Sequence, residues 1–391
     1  MDRPPAPLRS SRLAVTAAYA SQGLGYAVVV TSLPALKARQ EVDDATVSII
    51  VLGVSLAAAA GSVVANAVAV RWGSRAALAL GLLVQAVFLP VIALPTPFAA
   101  FFAAFVLFGV GLGCVDAAAA MQGVAVQRAH GSHLLGGFFA AATAAAIVGA
   151  LLVSFVAFSA LGAGIALATA GVVALLAALV VARLALREVP IDEALPAAER
   201  GRLPRAGIWI FGFVILAVFI SDSAISTWST VYLQDELRSL AWVAPLGYAA
   251  YQGVVLVTRL VTDRLVTRLG RRRLVTVAVV VSAIGCLVVA VLPFPAAAIT
   301  GFALAGVATG ILIPVTFGAA GEIAPEHSDQ VIARVNIFNY AGSIFGAVAL
   351  GLLADGPGLG IAFLIPAVAL AAILFLVPRF RTAPLAASAA R

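Results

Sequence analysis

Gly73 and Gly270 stand 197 positions apart, and the same offset links Arg71 to Arg268, Arg75 to Arg272, Gly109 to Gly306, Gly113 to Gly310 and Gly149 to Gly346. One constant spacing holds across several helices and their connections without a gap. A chain that keeps such a register carries one structural layout twice. The fold must therefore divide into two halves of similar plan.

The repeated unit is almost wholly apolar. Hydrophobic residues make up 63% of the chain and charged residues 10%, and the mean hydropathy is +1.11. A water-soluble protein of 391 residues has no interior large enough to hide that surface. A bilayer-crossing helix needs about 20 apolar residues. Runs of that kind fall at 12–37, 46–70, 75–95, 97–126, 133–157, 160–184, 207–234, 242–266, 273–293, 296–321, 330–354 and 358–379. The expected fold is an all-α integral membrane protein of twelve transmembrane helices in two pseudo-symmetric six-helix bundles. The first run is expected to be a span and not a cleaved leader, because it is long and carries Tyr19, Gln22 and Tyr26. Residues 1–190 form the N-terminal half, 191–206 a charged, proline-containing linker, and 207–391 the C-terminal half. Cys114 and Cys286 lie within runs 4 and 9, where no disulfide is expected.

The net charge of +7 does not point to nucleic acid, because the arginines fall on one side. Arg3, Arg9, Arg12, Arg71, Arg75, Arg128, the 264–273 cluster and Arg334 share the side that holds both termini. The opposite loops hold Lys37, Arg39 and Arg238, each beside acidic residues. The positive-inside rule makes the arginine-rich side cytoplasmic, in a multi-pass protein of the cell membrane with both termini cytoplasmic. No soluble domain is present to burn ATP, and the one lysine, Lys37, lies on the wrong side for a nucleotide loop. No nucleophile–base pair or metal-ligand spacing appears, so neither an enzyme nor a cofactor is expected.

Residues 259–273, between runs 8 and 9, read Arg-Leu-Val-Thr-Asp-Arg-Leu-Val-Thr-Arg-Leu-Gly-Arg-Arg-Arg. An acidic residue at a helix end, a glycine turn and flanking arginines resemble the inner-loop signature of the major facilitator superfamily. The equivalent first-half loop, Asn66 to Arg75, has Asn66 where Asp263 stands and Ser74 where Arg271 stands. Run 7 contains Ser221-Asp222-Ser223-Ala224-Ile225-Ser226-Thr227-Trp228-Ser229. This is similar to the Glu-Gly-Ala-x-x-Asp-Trp-Ser pattern of fucose-permease-like members, with Asp222 and Thr227 as departures. The resemblance implies a secondary transporter that moves a small solute by alternating access, as a monomer. Run 5 lacks the proline of the drug-antiporter pattern, which lowers an exporter reading.

Ionisable residues at membrane depth are costly and mark function by default. Asp116 in run 4 and Asp222 in run 7 have no basic residue within a turn of sequence, which makes them the proton-coupling candidates. Gln22, Tyr26, Trp228, Tyr251, Gln252, Asn336 and Asn339 are the candidates for a solute cavity. Their amides, hydroxyls and ring faces suit a hydroxylated compound. Intramembrane cations are scarce, which argues against a dicarboxylate or phosphate; the resemblance implies a neutral, sugar-like solute, expected to be taken up with protons. The alternatives are export of an apolar metabolite or drug, and a sensor that has the fold but does not transport. Arg259 shares a face with Asp263 one turn later, an expected ion pair. The cytoplasmic gate is expected to comprise Asn66, Arg71, Arg75, Arg259, Asp263, Arg268, Arg271 and Arg272, with the helix starts at Ser132 and Asp329. The family pattern implies that Asp263 faces the start of run 5 and Asn66 the start of run 11.

Overall fold

The computed structural model describes residues 6–131, 134–159, 161–186, 204–324, 328–354 and 356–380. The first half comprises α1 (Ala6–Thr31), the short α2 (Leu33–Gln40), α3 (Asp44–Trp72), α4 (Ser74–Ile92), α5 (Phe98–His130), α6 (Leu135–Val156) and α7 (Gly162–Leu184). The second half comprises α8 (Arg205–Val231), α9 (Pro245–Leu269), α10 (Arg271–Val291), α11 (Pro295–Gly321), α12 (Ser328–Ala354) and a broken last span, α13 (Leu359–Ala362) with α14 (Leu364–Ala372). Ten of these helices are long and apolar enough to cross a membrane. The charged α9 and the α13–α14 stretch complete the twelve. "Inner" below means the arginine-rich side and "outer" the other. Of the expected linker, residues 191–203 lie outside the described residues.

Two expected runs break, each for a local reason. The first stops at Thr31, and Pro34 enters the first turn of a separate helix behind Ser32. The last is interrupted between α13 and α14. Pro366 has no N–H to give the carbonyl of Ala362, where α13 ends. Beyond α8 the chain widens into a π-turn, Tyr232–Glu236.

The repeat is carried in three dimensions. Gly73 (φ 84) and Gly270 (φ 75) each serve as the single residue between two helices, in the left-handed region that glycine tolerates. Among the described residues, the two non-glycine positions with positive φ, Glu41 (φ 52) and Arg238 (φ 53), also stand 197 apart in the outer loops. The same pairing governs helix contacts. A Cβ on Gly109 would lie 2.7 Å from the Val54 carbonyl oxygen, and one on Gly306 would lie 2.6 Å from that of Tyr251. Gly113 faces Ala58, and Gly310 faces Val255. Each residue of the second pair is the first shifted by the repeat. Lipid supplies no hydrophobic drive for helices to associate, so backbone approach at small residues does that work.

The halves meet where α6 packs on α9 and α3 on α12, two pairs that the repeat exchanges; α1 also meets α8. Their outer ends are drawn together. Lys37 Nζ lies 2.6 Å from Asp44 Oδ1 and 2.8 Å from Asp235 Oδ2, so one lysine joins the two halves. Ser154 donates to the Trp242 carbonyl at 2.5 Å. At the inner ends, Asn66 on α3 and Asp263 on α9 are solvent-exposed. The halves are thus joined at their outer ends.

Substituting Gly113→Ala should force α3 and α5 apart and cost about 1–3 kcal/mol, the usual penalty of overpacking. Gly253 has nothing within 4 Å of a Cβ. Gly253→Ala should be neutral or mildly stabilising, by up to about 1 kcal/mol from helix propensity. Thermal unfolding of the purified variants checks both.

Candidate functional site

α5 brings Asp116 and α8 brings Asp222 to the space between the halves. Asp116 keeps an accessible side chain although protein surrounds it, as expected of a residue on the wall of an internal cavity. Gln22 Nε2 donates to Asp116 Oδ1 at 2.7 Å and to the Leu112 carbonyl at 3.1 Å. Gln85 Nε2, from the buried face of α4, donates to Gln22 Oε1 at 2.5 Å. The carboxylate is thus held by a chain of neutral amides. No cation pairs with it among the described residues.

Asp222 has a different surrounding. The fully buried Tyr251 donates its hydroxyl to Asp222 Oδ1 at 2.5 Å and lies 2.8 Å from Thr309 Oγ1. Four residues from Tyr248, Gln252 donates to that tyrosine's hydroxyl at 2.7 Å. Tyr26 on α1 links the two sites, because it lies within electrostatic range of both Asp116 and Asp222. On α12, Asn339 Nδ2 reaches Asn336 Oδ1 at 3.3 Å, and Ser343 reaches Asn339 Oδ1 at 3.3 Å. The Ser343 carbonyl accepts from Ser223, the neighbour of Asp222, at 2.7 Å. Tyr26, Gln22, Gln252, Asn336 and Asn339 are all partly accessible.

Other expectations are corrected. Trp228 is fully buried, and its indole N–H donates to the Ala347 carbonyl at 2.7 Å. Its ring sits against Gly351 on α12, so in this state it is a wedge between helices and not a cavity wall. Arg259 does not pair with Asp263. Arg259 Nη1 donates to Thr143 Oγ1 of α6 at 3.3 Å, and its charge is felt at Asp222. Asp263 is a turn nearer the inner mouth, exposed and without an ion pair among the described residues. Arg271 forms a two-pronged bond with Glu322 within the second half, at 2.5 and 2.6 Å. That guanidinium holds the Glu322 carboxyl below its ordinary range. Arg71, Arg268 and Arg272 are exposed and Arg75 is half-buried. Ser132 lies outside the described residues, as does the side chain of Asp329. The first turn of α6 is held by Gln127 Oε1, which accepts from Leu134 N at 2.9 Å and Leu135 N at 3.3 Å.

Sequence reasoning passed over Gln85, Tyr248, Thr309 and Thr143. Gln85 carried the same signal as Gln22, a polar side chain inside an apolar run. Tyr248 stands four residues before Gln252, a helical neighbour. The two threonines gave none, since threonine is common in such helices.

A family model described as Major Facilitator Superfamily matches residues 15–304 and 242–390. An uncharacterized MFS-type transporter of Yersinia pestis is 28% identical over 356 residues, covering 90% of this chain and 91% of the relative. Membrane protein MosC of Rhizobium meliloti is 25% identical over 346 residues, 88% of this chain and 83% of its own. Among solved structures, a variant of the nucleoside transporter NupG aligns with a TM-score of 0.76 at 14% identity, covering 95% of this chain and 100% of its own. The xylose transporter XylE of E. coli, in an inward-open conformation, aligns at 0.73 with 17% identity, covering 97% and 98%. At such identities the structures speak for the fold.

The position of Trp228 carries a prediction. Trp228→Ala should lower stability by about 3–5 kcal/mol through a cavity between α8 and α12, whereas Asn339→Ala should leave unfolding nearly unchanged. Thermal unfolding of the purified variants distinguishes a wedge from a wall residue.

Proposed function

Because the chain belongs to the major facilitator superfamily, we propose that this transporter takes up a small hydroxylated solute together with protons, by alternating access between its two halves. It works as a monomer in the cell membrane with both termini cytoplasmic, the orientation that the arginine distribution supports. The motif of α8 and its polar surroundings support a fucose-permease-like affiliation.

The observation that carries the reading is the pair of carboxylates in opposite halves, both within range of Tyr26 and neither ion-paired. Asp116 is the leading proton site. Its bonded neighbour is an amide, so a proton is the available means of neutralising it when the cavity closes. Gln22 can serve either state, because its amide offers both a donor and an acceptor. Asp222, with Tyr251 and the field of Arg259, forms the second site. Tyr26, Gln252, Asn336 and Asn339 offer hydrogen bonds to hydroxyl groups. This polar wall counts against an apolar cargo.

The solute class is tested by thermal unfolding of the purified protein with sugars, polyols and nucleosides, since a ligand of the folded state raises apparent stability by mass action. In liposomes, Asp116→Asn should abolish proton-driven accumulation of a solute so identified and spare its exchange. Full accumulation in both Asp116→Asn and Asp222→Asn would remove the coupling role. Tolerance of both, with no solute raising stability, would favour a non-transporting sensor.

A further inference from the structure

Arg259 lies ten residues before the inner end of α9, roughly 15 Å along the helix. A guanidinium has five N–H donors and no neutral form in proteins. Among the described residues its one hydrogen bond goes to the neutral hydroxyl of Thr143, at 3.3 Å, beyond the usual span of such bonds. Asp222 lies in its field but does not reach ion-pair distance, and one oxygen of that carboxylate already accepts from Tyr251. Asp263 forms no ion pair with it. The side chain is partly accessible, and its neighbours place that accessible part between the halves. Thr143 belongs to α6 in the first half, and Asp222 to α8 in the second. The remaining donors of Arg259 therefore open into the space where a solute would sit.

A charge at this depth is costly unless it is paired. The planar fork of a guanidinium matches one carboxylate with two parallel bonds. No second cation stands beside it among the described residues, as a doubly charged phosphate would require. We propose that Arg259 receives a carboxylate of the transported solute, so that the cargo is a hydroxylated monocarboxylic acid in its anionic form. This rests on the proposed uptake of a hydroxylated solute and names its charged group. It replaces the expectation of a neutral compound. Because Arg259 already reaches across to Thr143, a carboxylate seated there would touch both halves.

The test uses the purified full-length protein and three carboxylate probes: acetate, lactate and gluconate. Unfolding temperature is followed at equal ionic strength against chloride. Sorbitol, which is gluconate with an alcohol in place of its carboxylate, is the neutral control. At least one carboxylate should stabilise the wild type beyond chloride and sorbitol. Its apparent affinity should fall about tenfold or more in Arg259→Gln. Arg259→Lys keeps the charge but not the fork, so it should fall in between; it also serves if the glutamine variant does not yield folded protein. Carboxylate responses in these variants equal to those of the wild type, including no response in any of them, overturn the assignment. A wild type stabilised by sorbitol as strongly as by gluconate also overturns it, yet leaves uptake of a hydroxylated solute standing. Full proton-driven accumulation in both Asp116→Asn and Asp222→Asn would count against proton coupling alone.

Discussion

Inside a bilayer no water answers an exposed N–H, C=O or side-chain dipole, so each polar group on a spanning helix must find its partner in the protein. Most of this architecture follows from that rule. The backbone satisfies itself by forming helices. The helices then approach closely where glycine removes the obstacle, as at Gly113 against Ala58 and Gly310 against Val255. Several polar side chains sit in the seams between helices, where another side chain or a carbonyl completes them. Gln122 bonds Ser74 and the Leu186 carbonyl, and Ser282 takes the Leu304 carbonyl and the Ala308 N–H. The carboxylates that remain partly accessible, Asp116 and Asp222, border the one region that water and solute must cross.

The duplication governs the scaffold and stops short of the chemistry. Positions that set helix approach recur at the constant spacing. Positions proposed to carry function do not. Asp116 maps onto Ile313, Gln85 onto Ser282, Arg259 onto Ser62 and Tyr251 onto Val54. Asn336 and Asn339 map onto Phe139 and Ala142. A symmetric frame allows the pairs α6–α9 and α3–α12 to act as equivalent contacts. An asymmetric lining gives the two halves different tasks, with a carboxylate among amides on one side and a carboxylate near an arginine on the other.

The glycine turns at Gly73 and Gly270, the twelve spans and the place of Asp116 and Asp222 inside apolar helices were legible in the sequence, because each is a property of one helix or one turn. Partners across helices were not. Trp228 is six residues after Asp222, about 240° round the helix, so the two cannot share a face even though they share a motif. Arg259 and Asp263 do share a face, and spacing alone makes them a pair. One turn of rise separates them, however, leaving Asp263 at the aqueous mouth while Arg259 meets α6. Lys37 read as a loop charge beside acidic neighbours. Its bond to Asp235, 198 positions away, required the halves to be docked.

That docking is where the proposed alternation must be balanced. The outer closure gains the Lys37 bridge to Asp44 and Asp235 and the Ser154–Trp242 bond. The same end of the molecule also holds buried hydroxyls that find no partner among the described residues: Ser32 at the end of α1, and Ser229 and Thr230 on α8. A buried, unanswered hydroxyl costs about 1–3 kcal/mol, while a partly exposed ion pair contributes about 1 kcal/mol or less. The bonds that join the outer ends are thus individually weak. A carrier needs this, since a solute can shift only an equilibrium whose two states differ by a few kcal/mol. The outer seam need not be tight in itself; it has only to hold until binding at the cavity tips the balance.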